Sequence, residues 1–208
     1  LVYTLIGVFS FAVFYLLQRV FLKEKGSDPI SYAIVFNIIC AILISIVAIK
    51  NGFVLPDLQK YALNLGLMTI VYTASQVLIF KASQTIEASE LIIFSATRAL
   101  WTIAVALVFL GESLSLLKII GTILILFAVG YVSVKKKGIK LKSGHFYVLA
   151  AAFCTGIGFA NDSFVLRTAD AFTYGALAFI LPGFLTMIVF PSSSMKISNY
   201  LRIGLLFK

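Results

Sequence analysis

Residues 80–133, FKASQTIEASELIIFSATRALWTIAVALVFLGESLSLLKIIGTILILFAVGYVS, decide the class of this protein. They hold two apolar runs, residues 91–110 and 115–134, separated by the polar turn Gly111-Glu112-Ser113-Leu114-Ser115. Each run is about the ~20 residues that a helix needs to cross the hydrocarbon core of a bilayer. A turn this short returns the chain antiparallel, so the two runs form a tight helical hairpin across a membrane. Glu112 lies just ahead of a helix N-terminus, where the helix dipole favours an acid, and Ser113 or Ser115 can cap the second helix. Glu87 and Glu90 have the same structural reading at the start of the first.

Composition extends this to the whole chain. Of 208 residues, 61% are hydrophobic and 12% charged, with mean hydropathy +1.07. A soluble domain lies nearer 45–50% apolar and ~25% charged. The protein is therefore read as an all-α polytopic membrane protein, with the plasma membrane of a prokaryote as its expected location. The net charge of +9 does not point to nucleic acid, because most Lys and Arg lie between apolar runs, where they anchor loops. Cys40 and Cys154 fall inside apolar runs and carry no redox information. The single His, His145, reads as a loop residue, and no Cys/His cluster suggests a metal. No cofactor is expected.

Outward from the hairpin, further apolar runs cover residues 1–22, 30–49, 61–80, 146–166 and 171–190, with residues 200–207 opening an eighth. Residues 81–90 read as a turn, with Lys81 as an interfacial anchor. Residues 135–145 form a basic linker. The chain opens at Leu1, inside an apolar run too long for a secretory signal, so its natural start is expected upstream. Two stretches align: QRVFLKEKGSDPISYAIVF (residues 18–36) and NDSFVLRTADAFTYGALAF (residues 161–179), matching Phe21 with Phe164, Asp28 with Asp170 and Tyr32 with Tyr174. The period is about 142 residues and encloses five runs. An odd number of crossings turns the second unit upside down, the inverted-repeat plan of many secondary transporters. The expected organisation is a five-helix unit over residues 1–134, the linker, and an incomplete second unit over residues 146–208. A second Gly-Glu hairpin would then follow downstream.

The hairpin also resembles the end of the five-helix repeat in the EamA family of the drug/metabolite transporter superfamily. The likeness rests on Ala82, Glu87-Ala88-Ser89, the Leu110-Gly111-Glu112 turn, and Ile120-Gly121 and Val129-Gly130. One position departs: where the family often has Pro, about twelve residues before the turn glycine, this chain has Ala99, preceded by Arg98. The resemblance implies export or import of small metabolites, such as amino acids, nucleotide sugars or amphipathic drugs, often with proton or exchange coupling. It also implies a start inside the cell. The distribution of Lys and Arg favours the opposite orientation.

Arg98 is the foremost candidate for chemistry. It lies about eight residues into its run, roughly 12 Å deep at 1.5 Å per residue. Arginine at depth costs at least ~2.5–3.5 kcal/mol and usually faces a cavity or a partner. Ser95 and Thr102 share its helix face and Trp101 flanks it, which suits an anionic or carboxylate-bearing substrate; the alternative is a structural pairing to carbonyls or an acid. Tyr72 and Gln76, with Thr69 and Thr73, form a polar stripe that either lines a site or hydrogen-bonds between helices. Asn161 and Asp162 either reach the interface or serve proton coupling, or balance Arg98. Gln18 holds the matching place in the first run, beside Arg19, which snorkels. Ala150, Cys154 and Gly158, and separately Ala152, Gly156 and Ala160, suit close helix packing, and Pro182-Gly183 suits a kink.

The leading expectation is a secondary transporter working on a small-molecule substrate within the lipid bilayer. Its substrate site is expected to comprise Arg98, Trp101, Tyr72, Gln76, Asn161, Asp162 and Gln18. A membrane-embedded lipid-modifying enzyme would need an acid/base pair or an activated nucleophile, which the apolar runs do not offer. A non-transporting scaffold or sensor is the third possibility.

Overall fold

The computed structural model describes residues 9, 13, 16, 18, 22, 28–111, 113, 115–135 and 142–196. In chain order the helices are α1 (Pro29–Lys50), α2 (Leu58–Thr85), α3 (Ala88–Ser95), α4 (Arg98–Phe109), α5 (Leu116–Lys135), α6 (Ser143–Val165), α7 (Ala171–Val189) and α8 (Pro191–Ser194). No strand occurs among the described residues. Most of the first run, Glu112, residues 136–141 of the linker and residues 197–208 lie outside them. Five helices, with α3 and α4 taken as one, are long and apolar enough to span a membrane, and Leu116–Tyr131 is a shorter apolar helix.

The first amides of a helix have no carbonyl within it to bond, and three aspartates supply acceptors here. Asp28 Oδ1 accepts from the Ile30 N–H at 3.0 Å, with Pro29 at the first position, where no amide is needed. Asp57 accepts from the Gln59 and Lys60 amides at 3.0 and 3.2 Å, and Asp170 from Thr173 at 2.7 Å. Burial alone would raise the Asp28 carboxyl. Hydrogen bonds from Ser193, the Ile30 amide and Ser31, with the Lys196 charge, outweigh it and hold the group below the usual carboxylate range. Hydrogen bonds from the amide and hydroxyl of Thr173 likewise lower Asp170.

Two boundaries differ from the sequence reading. Helix α2 continues through Thr85, so residues 81–85, Lys81 among them, are helical and the turn shrinks to Ile86 and Glu87. The run 91–110 is not one smooth helix. At Ala96 and Thr97 it tightens, and the Thr97, Ala99 and Leu100 amides bond carbonyls three residues back, at 3.2, 3.1 and 2.9 Å. The Thr97 hydroxyl donates to the Phe94 carbonyl at 2.7 Å and Thr102 to Arg98 at 3.0 Å. Such back-bonding by hydroxyls bends helices. The turn after α4 is made at Gly111, whose φ of +63° few other residues tolerate. Ser115 caps α5 as anticipated, accepting from the Lys118 amide at 3.3 Å. The hairpin is looser than expected, because α5 only grazes α3 and α4.

Helix α6 is the centre of the bundle, packed along α2 on one side and α4 on another, while α1 packs along α7. Both long pairs are antiparallel. Ser31, at the start of α1, donates to the Ser193 carbonyl just past the end of α7 at 2.7 Å. At the other end the Val54 amide, beyond α1, reaches Thr173 Oγ1 near the start of α7 at 3.2 Å. Tyr61, early in α2, bonds Thr168 just past α6. Glycine permits the closest crossings. A Cβ on Gly156 would lie 2.4 Å from Trp101 Cβ and 2.9 Å from the Arg98 carbonyl, and one on Gly158 would lie 2.6 Å from the Tyr72 ring. The stripe Ala152, Gly156 and Ala160 is buried throughout, whereas Ala150 of the other stripe is exposed. Outward-facing residues such as Leu63, Val108 and Leu117 are 88%, 75% and 80% exposed, an apolar exterior suited to lipid rather than water. The protein is an integral membrane protein.

Candidate functional site

Polar side chains from α2, α6 and α7 converge at one level of the bundle. Asp162, in the last turn of α6, accepts from the Tyr72 hydroxyl on α2 and from the Tyr174 hydroxyl on α7, the latter at 2.7 Å. Its neighbour Asn161 is buried, donates to the Asn64 carbonyl at 3.2 Å and accepts from the Asn64 amide at 2.7 Å. Among the described residues no cation pairs with Asp162, so the two phenols and the Asn161 side chain carry its solvation. Three helices are thereby joined through one titratable group.

Two cavities flank this cluster. The larger, about 670 Å³, is a cleft between α2, α4 and α6, walled by Leu67, Val105, Phe109 and Phe153, with the Asn64 and Asn161 amides among its few polar groups. That volume falls in the range of small-molecule sites. The smaller, about 80 Å³, lies nearer the helix break and is lined by Ser75, Ile79, Ser95, Arg98, Ala152 and Thr155. The Arg98 guanidinium carbon sits 5.5 Å from the Phe159 ring centroid, a cation–π contact. No carboxylate lies within ion-pairing distance of Arg98 among the described residues.

The sequence candidates therefore divide. Asn161 borders the larger cleft, Tyr72 and Asp162 form the cluster behind it, and Arg98 with Ser95 lines the smaller cavity. Trp101 is 41% exposed, rests edge-on against Phe153 at 4.9 Å, and lines neither cavity. Gln76 accepts a hydrogen bond from Asn37 on α1, Thr69 bonds Leu65 and Thr73 bonds Pro182. That half of the α2 stripe joins the helix to itself and to its neighbours. Gln18 is fully buried with both amide atoms unpartnered among the described residues.

Sequence reasoning missed Asn64, Ser75, Thr155 and Tyr174. Asn64 and Tyr72 are two helical turns apart on α2, so the stripe could have been extended back to Asn64 by the same i, i+4 rule. It also misplaced His145, which is not in a loop. It is 1% exposed in the first turn of α6, edge-on to Phe94. His145 Nδ1 lies 3.1 Å from the Lys142 amide nitrogen, and Nε2 lies 3.8 Å from Glu90 Oε2. Glu90 Oε2 in turn accepts from the Glu87 amide at 3.1 Å, the capping role anticipated for it. Neither His145 nor Glu90 borders either cavity.

With this geometry in place, comparison with known proteins adds one finding. The family model described as the EamA-like transporter family matches residues 1–134. No curated protein matches the chain.

Proposed function

The chain belongs to the EamA-like transporter family, and from that premise we propose that it is a secondary transporter of small amphipathic or anionic solutes, amino-acid-like ones among them, working by alternating access. One observation carries the reading. An apolar cleft of about 670 Å³, open between α2, α4 and α6, ends on the Asn64–Asn161 amide pair, directly beside a carboxylate that accepts from two phenols. Polar groups are expensive inside a bilayer and generally mark substrate or ion paths. The apolar walls suit the body of an amphipathic solute and the amides its polar end.

The inverted-repeat plan is part of this proposal. Asp28 and Asp170, paired by the internal alignment, each cap a helix, and those two helices run antiparallel against each other. A pseudo-two-fold axis in the membrane plane requires that relationship of equivalent helices. Rocking one unit against the other would break and remake the bond from Tyr72, on α2, to Asp162, while Tyr174, in the same unit as Asp162, would keep its own. Proton coupling through Asp162 fits that position. The enzyme reading is weaker, because the one His–Glu neighbour pair lies away from both cavities.

The test is flux. Purified protein in liposomes, presented with mixtures of amphipathic and anionic solutes under an imposed proton gradient, should accumulate a subset of them. Accumulation should collapse when the gradient is discharged. Absence of flux for every solute class, with folded protein in the bilayer, overturns the proposal.

A further inference from the structure

Arg98 is a permanent cation within a membrane-spanning segment, and among the described residues nothing neutralises it. Its contact with the Phe159 face offsets only part of the cost, since a cation–π contact is worth about 0.5–2 kcal/mol. Arg98 lines a half-open space of about 80 Å³ together with Ser75, Ile79, Ser95, Ala152 and Thr155. On the same side, one turn back, Ser95 is 5% exposed and its hydroxyl has no partner among the described residues. The other two hydroxyls there are committed. Thr155 Oγ1 donates to the Ala151 carbonyl at 2.8 Å, and Ser75 Oγ lies 2.6 Å from Thr155 Oγ1 and 3.2 Å from the same carbonyl. The donors left over are the Ser95 O–H and the N–H fork of Arg98. A left-over hydroxyl donor beside a cation suits a group that accepts hydrogen bonds and carries negative charge.

We propose that the cavity between Ser95 and Arg98 binds a singly charged anion, either the carboxylate of the transported solute or a free halide. The donor set contains no carboxylate or other anionic oxygen that would repel such a group or favour a cation. The volume admits a carboxylate or a hydrated halide, and the larger cleft would take the body of a solute. This deepens the transporter reading by naming the charge that its substrate or co-ion carries.

Trp101, the chain's single tryptophan, is one helical turn from Arg98 and reports on the site. Purified protein is titrated with sodium acetate and, separately, sodium chloride at constant ionic strength, following tryptophan emission. A saturable change with acetate but not chloride identifies a carboxylate site, and one with chloride identifies a halide site. Either change should be lost in Arg98→Gln. In Ser95→Ala it should move to about tenfold higher concentration, the effect of one hydrogen bond to a charged group. No saturable change with either salt in folded wild type overturns the proposal, as does a change that survives Arg98→Gln in protein with unaltered helical content. Liposome flux separates this from the transporter reading. Flux without anion binding removes only the anion site, and anion binding without flux of any solute removes only the transporter.

Discussion

Ser31 and Ser193 are 162 residues apart in the chain and joined by a hydrogen bond of 2.7 Å, from the Ser31 hydroxyl to the Ser193 carbonyl. This contact brings the beginning of α1 to the end of α7, and with it the Asp28 carboxylate to Ser193 and Lys196. One end of the antiparallel pair is thus fixed by a small polar knot at the margin of the apolar spans.

The knot makes stability acid-sensitive. Because the folded state holds Asp28 below its ordinary value, its contribution is complete above the unfolded pKa of about 3.9 and is lost as pH falls through the lower folded value. Asp28→Ala should cost about 1 kcal/mol at neutral pH, the usual worth of such a cap, and less in acid. Unfolding followed at neutral and acid pH tests this; an equal difference between variant and wild type at both would count against it.

Helix crossings give a second prediction. Gly156→Ala places a Cβ 2.4 Å from Trp101 Cβ and 2.9 Å from the Arg98 carbonyl, so α4 must move off α6 at a cost of about 1–3 kcal/mol. Gly66→Ala on α2 meets nothing within 4 Å and should stabilise by about 0.5–1 kcal/mol through helix propensity. Thermal unfolding of both variants should shift in opposite directions.

Asp162 separates structure from coupling. Asp162→Leu strands the hydroxyls of Tyr72 and Tyr174 and should cost about 1–3 kcal/mol for each left buried. Asp162→Asn keeps an acceptor and should remain folded while losing gradient-driven uptake, with solute exchange retained. Uptake in the Asn variant that still responds fully to the proton gradient would dismiss Asp162 as the coupling group.

The contact between α3 and α6 is the last. Glu90→Ala leaves the Glu87 amide without its side-chain partner and removes the neighbour of His145 Nε2, and should lower stability by about 1 kcal/mol. Glu90→Gln, which can still accept from that amide, should recover most of the loss. Parallel denaturation curves distinguish the two, and a Gln variant as unstable as the Ala variant would point to charge rather than capping.

The sequence alone determined the medium, the helical class and the position of most helix ends. Apolar runs of membrane length have few other solutions, and Asp-capped starts are local chemistry. The helix break at Ala96 and Thr97 was not legible, because neither Pro nor Gly marks it and hydroxyl back-bonding arises only once the helix forms. Nor was the fate of polar residues. Tyr72 and Gln76 lie on one face of α2, yet one bonds α6 and the other α1, and His145 read as loop until α6 was seen to begin two residues earlier. Periodicity along a chain says which residues share a face. Which helix that face meets depends on contacts between residues far apart in the chain, 90 for Tyr72 and Asp162 and 39 for Gln76 and Asn37, and only the packed bundle decided it.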